Sequence, residues 1–191
     1  QVDPMVYLGG LVSKDGRVDS ELSRRLGAAH GEFRKLRQVW AHANLSRQQK
    51  LTFFQAFVLS KLRYGLCTTW MVTAQRRRLL GFHARCLRRI LNVPAAFLSR
   101  VSNDEVFRYA GARPVTEQIL DQQLMLLHRV GRSPAGSALR RNAFVGESVR
   151  PMIGTFVRRV GRPRQDWTTQ VMNEAAKRCP DRRRMEQAMA D

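Results

Sequence analysis

Between Thr73 and Leu91 two chemistries alternate on a helical period. At about 100° per residue, Leu79, His83, Cys86, Leu87 and Ile90 fall on one side, and Arg77, Arg78, Arg85, Arg88 and Arg89 on the other. Such a segment is an amphipathic helix that buries its first side and turns its second outward. The arginines belong to a wider pattern. From Phe33 to Asn103 there is no Asp or Glu in 71 residues, and the same stretch holds 14 Lys and Arg. Exposed helices ordinarily set Glu against Lys and Arg, and ordinary surfaces intersperse both signs. Over the whole chain, 34 Lys and Arg stand against 15 Asp and Glu, a formal charge of +19. A polyanion suits this balance, because each neutralised phosphate releases condensed counterions. The preponderance of Arg over Lys suits bidentate phosphate contacts; a GC-rich genome would give the same excess. A ribosomal or membrane-surface protein could share the charge balance, and a solvated face is the plain alternative for any charge run.

The helical period continues on both sides. Leu22, Leu26, Ala29, Phe33, Leu36 and Trp40 form one stripe from Val18 onward, with Arg24, Arg34 and Lys35 off it. Asn44 to Ser46 breaks that helix. Ser46 followed by Gln49 matches a capping box and opens a second helix through Leu51, Phe54, Val58 and Leu62, with Phe53 and Phe57 widening its apolar surface. Pro94 stops the third helix. Ser102 with Glu105 opens a short one to Tyr109, closed by Gly111. Thr116 to Val130 is a fourth long helix. Met5 to Val12 is strand-like, followed by turn chemistry at Lys14-Asp15-Gly16. Ser133 to Ser137 has a linker composition, residues to about Arg159 lack a clean period, and a last amphipathic stretch runs from Gln165 to about Lys177.

The hydrophobic share of 43% is enough for a real core. No apolar run approaches the ~18 residues of a spanning helix, and no signal peptide is visible. The three cysteines, Cys67, Cys86 and Cys179, are odd in number and far apart, which argues against a disulfide framework. The expectation is an intracellular, reducing setting, nuclear or cytoplasmic, without secretion or a membrane partner. His83 and Cys86 stand three apart as two metal ligands might, but no second ligand pair follows, so both are placed in the core. Gln1, in place of Met, suggests a cut into something longer or a processed end.

Catalytic signals are missing. Two-metal polymerase or nuclease chemistry needs clustered carboxylates, and the acid-free stretch removes most candidates. Asp104 and Glu105 suit a helix start; Glu117 and Asp121 suit a solvated helix face. Gly9-Gly10 is not followed by a phosphate-loop Lys. No enzyme and no cofactor is expected of this chain. The segment Arg158-Arg159-Val160-Gly161-Arg162-Pro163-Arg164 is extended and basic. It looks like an AT-hook core, which lays arginines in a narrow A·T minor groove; a simple basic linker is the plainer reading.

In order along the chain, these segments resemble a known family. Tyr7-Leu8-Gly9-Gly10-Leu11-Val12-Ser13-Lys14-Asp15-Gly16 resembles the "YLG-x-x-(I/V)-x-x-DG" segment of non-long-terminal-repeat (LINE-type) retrotransposon reverse transcriptases. Glu21 to Gly27 is similar to the family's "E(I)-x-x-R(I)" helix, and Leu36 to Trp40 to its "LRxxW". Leu59 to Gly65 with Thr69-Trp70 resembles "VLSxLLYGxETW", and Phe82 to Leu91 "FHRRCLRRIL". Val101 to Val106 matches "(V)SNEEV", Leu124 to Arg132 a helix ending "LGHVLR", and Gly161 to Arg164 with Trp167 "GRPxxxW". Together they span about residues 6 to 170. The chain departs from the family at Thr68, where Glu is usual, and holds neither the "(F/Y)xDD" carboxylates nor a zinc knuckle.

The resemblance implies the thumb and C-terminal region of an RNA-directed DNA polymerase, without its catalytic palm. The expected fold is mainly α: a thumb-like helical bundle preceded by a short β-hairpin, with an irregular C-terminal region. Its expected parts are an end-of-palm remnant at 1–17, the thumb-like domain at 18–131, a basic linker at 132–164, and a helix and tail at 165–191. It implies binding to RNA or DNA as a template–primer duplex, through phosphates rather than bases. Arg34, Lys35, Arg77, Arg78, Arg85, Arg88, Arg89, Arg162 and Arg164 are the candidate contacts, and Tyr7, Leu8 and Gly9 a primer-grip-like element. Mg²⁺ would belong to the missing palm, and that palm with its fingers would be the protein partner. Two other readings remain: a free-standing DNA-binding, chromatin-type protein using Arg162 to Arg164, and a decayed fragment without activity.

Overall fold

Gly9 is where the chain first turns back. Its φ of +74° lies in the left-handed region that favours glycine, and a Cβ there would stand 3.4 Å from the Tyr64 ring. The turn joins β1 (Met5–Tyr7) to β2 (Gly10–Val12) as an antiparallel hairpin in which Val6 faces Leu11. A computed structural model describes residues 5–7, 9–12, 18–42, 44–146, 148–152, 166–179 and 181, with Tyr7 and Val12 by backbone alone. The turn chemistry at Lys14 to Gly16 lies outside these residues.

Most of the remaining described residues are helical, as the periodicity predicts, with one isolated antiparallel bridge between Phe144 and Pro151. The helices are α1 (Asp19–Lys35), α2 (Arg37–Ala41), α3 (Arg47–Phe53), α4 (Ser60–Arg63), α5 (Thr73–Ile90), α6 (Ala96–Ser99), α7 (Asn103–Ala110), α8 (Val115–Gly131), α9 (Ala138–Ala143) and α10 (Trp167–Arg178). Both anticipated capping boxes form. Ser46 Oγ accepts from the Gln49 amide while Gln49 accepts from Ser46; Ser102 and Glu105 do the same. Gly111, at φ +60°, closes α7.

Two elements differ from the periodicity. The stripe from Leu22 to Trp40 predicts one helix, but the chain breaks at Leu36. The Trp40 indole donates to the Phe33 carbonyl at 2.8 Å and stacks on the Phe33 ring at 5.0 Å, taking an acceptor that a continuing helix would use. The second helix widens into a π-helical stretch, Phe54–Leu59, between α3 and α4. It turns Phe54, Val58, Leu59 and Leu62 into the core. Phe53 and Phe57 stay outside, stacked on each other at 6.2 Å, and do not extend the buried face.

The chain divides into two compact units. The first comprises Gln1–Leu66 and Met71–Ile119. In it α1 lies against the π stretch, α4 and α5, and α5 lies against α7. Leu22, Phe54, Leu62, Leu79, Leu87, Val106 and Ile119 fill its core. His83 is part of that core. It is fully buried between the rings of Phe54 and Phe107, and its Nδ1 accepts the Val115 amide at 3.2 Å. Burial lowers its pKa to about 4, with the Arg63 charge adding to the effect. Cys86 is buried beside it in sequence, and burial pushes its thiol up to about 12.

The second unit comprises Cys67–Trp70 and Leu120–Asp191, so the division falls inside α8 rather than at residue 131. Leu127, Val130, Ala143, Phe144 and Val171 form its core, with Trp70, Leu124 and Trp167 around them. The span 132–164, expected to be irregular, contains α9, whose start Ser137 caps by accepting from the Arg140 amide at 3.2 Å. Asp166 caps α10 through Thr169. The Trp167 indole donates to the Cys67 carbonyl at 2.9 Å, and Gln123 to the Thr69 carbonyl at 2.6 Å. Among the described residues no helix is long and apolar enough to cross a membrane.

Candidate nucleic-acid interface

On α5 the inner face is fully committed. Leu79, Phe82, His83, Cys86, Leu87 and Ile90 are all buried, and this fixes what the other face presents. Arg77, Gly81, Arg85 and Arg89 recur every four residues along it, so each step rises about 6 Å and the row spans about 18 Å. The three arginines are exposed, and among the described residues none has a carboxylate partner. Gly81 leaves a gap in the row beside which the Arg85 guanidinium lies, 3.7 Å from where a Cβ would be. Arg78, on the adjoining stripe, is exposed but engaged: it donates to Ser23 Oγ at 2.9 Å and stands 3.7 Å from Asp19.

Arg88 does not belong to this face. Only 7% of it is exposed, and its guanidinium donates to the Pro94 and Val101 carbonyls at 3.0 and 2.6 Å. Ser99 Oγ and Asn103 Oδ1 accept from it as well. The helical period places Arg88 correctly beside Arg85 and Arg77. The chain beyond α5 then folds back over that flank, and no wheel of α5 alone contains this information. Arg88 is therefore a buried structural cation, and its expected role as a phosphate contact is corrected.

At the end of α1, Arg34 is exposed and has no carboxylate partner among the described residues, whereas Lys35 pairs with Glu32 at 3.0 Å. Glu32 also takes Lys61 at 2.7 Å, and hydrogen bonds from Lys61 and Lys35 hold its carboxyl below the usual range. The acid-free stretch thus has some of its cations neutralised by acids that precede it. Arg37, Arg47 and Arg100 are further exposed arginines without a carboxylate partner among the described residues. They were not singled out from the sequence, although the missing acids around them were the available signal.

The hairpin is tied to α1 by charge. Glu21 and Arg25 are each 8% exposed. Glu21 accepts from Arg25 Nε at 2.6 Å, from Arg24 at 2.8 and 2.9 Å, and from the Leu11 amide at 2.9 Å. Burial raises the Glu21 pKa, but the hydrogen bonds from Arg24, Arg25 and Leu11 outweigh it, and the net shift is downward. Both arginines also donate to the Gly9 carbonyl, and the Arg25 guanidinium lies 4.6 Å from the centre of the Tyr64 ring. Of the primer-grip-like residues, Gly9 is thus held by α1, Tyr7 contributes β1, and Leu8 lies outside the described residues. Arg162 and Arg164 lie outside them too. In the second unit Arg140 is buried, donating to the Gly131 carbonyl and facing the Phe144 ring at 5.8 Å.

Among the described residues no group of three or more His, Cys, Asp or Glu is placed to hold a metal ion. What the exposed face can offer chemically is a line of guanidiniums spaced along a rigid helix. No family model, curated protein or solved structure matches the chain.

Proposed function

We propose that this chain binds duplex nucleic acid through its phosphate backbone, as a non-catalytic thumb-like part of a LINE-type reverse transcriptase. The observation that carries the reading is the row Arg77, Arg85 and Arg89 on the outer face of a helix whose inner face is entirely core. Like charges along one face repel one another, and an anion relieves that cost. Three guanidiniums on a helix offer charge and bidentate geometry without reaching for base edges, so sequence selectivity is weak. On this reading the chain transfers no nucleotide itself: the carboxylates and their Mg²⁺ belong to a palm that precedes Tyr7 in the family. The ordered set of eight motifs supports the family assignment.

The test is the salt dependence of binding to RNA–DNA and DNA–DNA duplexes, measured by fluorescence anisotropy. Each phosphate contact adds about 0.7 to 0.9 to the slope of log affinity against log salt. Replacing Arg77, Arg85 and Arg89 with Gln lowers that slope by roughly 2 to 3 for every sequence tried. An unchanged slope in the triple variant makes the row a solvated face and ends the proposal.

A further inference from the structure

The connection from α5 to α7 is built more expensively than a connection needs. It carries the most exposed large apolar side chain among the described residues, Phe97 at 75%, next to Leu98 at 67%. Both sit on the single turn α6. That turn is held from below by Arg88, whose guanidinium joins the Pro94 carbonyl at one end to the Val101 carbonyl and Asn103 at the other. Asn92 and Arg100, on either side of α6, have φ of 56° and 57°; Asn92 ends α5 as Asn often does, whereas at Arg100, which ends α6, the left-handed conformation is one that few residues with a long side chain adopt. The buried arginine and the two helix ends fix the loop. The outcome is that two apolar side chains are held in water at a defined place. Burial of apolar surface works against that arrangement unless a partner covers it.

The charge around the tip selects the partner. Arg89 precedes the loop on the last turn of α5, and Arg100 closes α6. Both are exposed, and neither has a carboxylate partner among the described residues. The nearest acids in sequence are Asp104 and Glu105 at the start of α7, where the helix dipole favours them; Glu105 is also bonded to the Ser102 amide. An apolar protein surface would leave the two guanidiniums without partners. A base stack offers a flat apolar slot with phosphates on both sides.

We propose that Phe97 and Leu98 form a wedge that enters the base stack of bound duplex, with Arg89 and Arg100 on the flanking phosphates. This rests on the reading of the chain as a duplex binder and adds what it does to the duplex: it opens one step. Side chains of this type unstack base steps, and an unpaired base lowers the cost of doing so.

The experiment uses the full chain with matched and singly mismatched duplexes carrying 2-aminopurine, a base analogue that brightens when unstacked. Wild type brightens the probe and prefers the mismatched duplex by about tenfold. The variant F97A/L98A loses both effects and keeps the salt slope, since these exposed side chains touch no phosphate. F97Y retains the brightening. If wild type binds both duplexes equally and the probe stays dark, the wedge is wrong while phosphate binding stands. Absence of any duplex binding by wild type overturns both. If wild type self-associates and F97A/L98A does not, the tip is a contact between copies and the wedge is overturned.

Discussion

The Glu21 carboxylate accepts the backbone N–H of Leu11 at 2.9 Å, so a helix residue holds the second strand of the hairpin in register. The same carboxylate is the counter-ion of the buried Arg25. Glu21→Gln leaves that guanidinium desolvated without its charge partner, which costs on the order of 3 kcal/mol. The sign of the pH effect follows from the lowered folded-state pKa. The stabilisation is complete above the ordinary value of 4.5 and is lost as pH falls through the folded-state value. Urea unfolding of wild type and E21Q from pH 7 to pH 3 checks both statements. The wild-type advantage shrinks on acidification, and an advantage that grows instead contradicts the ion pair.

His83 imposes a second acid limit in a different window. Its pKa is 6.5 when unfolded and about 4 when folded, so the unfolded chain takes up a proton first. Stability is complete above about pH 6.5 and declines as pH falls towards 4, by roughly 3 kcal/mol in all. His83→Gln keeps an acceptor for the Val115 amide and removes the titration. Its stability is then flatter than wild type's between pH 6.5 and 4; equal slopes would show that the imidazole is not buried.

The cysteines differ in accessibility. Cys86 is buried with its thiol pushed up to about 12, whereas Cys67 and Cys179 are partly exposed. Thiolate is the reactive form. At pH 8, dithionitrobenzoate therefore reacts readily with two thiols of the folded chain and reaches the third on denaturation. C86A leaves the fast count at two; a fall to one places Cys86 at the surface.

Adjacent arginines at the end of α5 separate folding from binding. Arg88→Gln removes a charged donor from four acceptors and destabilises by about 2–3 kcal/mol. It leaves the salt slope of duplex binding unchanged. Arg89→Gln leaves stability within about 0.5 kcal/mol and lowers the slope by about 0.7 to 0.9. Thermal melts beside salt titrations decide it, and a reversal of the two phenotypes would return Arg88 to the surface.

The features legible from the sequence were those set within a turn or two of chain. Ser46 with Gln49, Ser102 with Glu105, and Gly111 act on neighbouring backbone groups, so their spacing carries the whole signal. The core side of α5 was legible because a period of 3.6 over eighteen residues leaves one apolar face. Arg88 was not, because its burial depends on acceptors 6 to 15 residues further along. Nor was the break at Leu36, where the Trp40 side chain takes the carbonyl of Phe33, seven residues before it. The cap at Ser137 was a local signal that the surrounding Pro and Gly obscured. The arginines of α5 were legible as charge, but their separation into committed and exposed members depended on Asp19 and Ser23 in another helix, which engage Arg78.

The hydrogen bond from the Trp167 indole to the Cys67 carbonyl has a consequence for how the chain is made. The two groups are 100 residues apart. At about 5–20 residues per second, a ribosome adds Trp167 some 5–20 s after Cys67. Over that interval the short segment Cys67–Trp70 waits for the groups of α8 and α10 that it bonds in the folded chain. Its Trp70 side chain is then a sticky surface on a nascent chain, and the second unit can close only once α10 has been made.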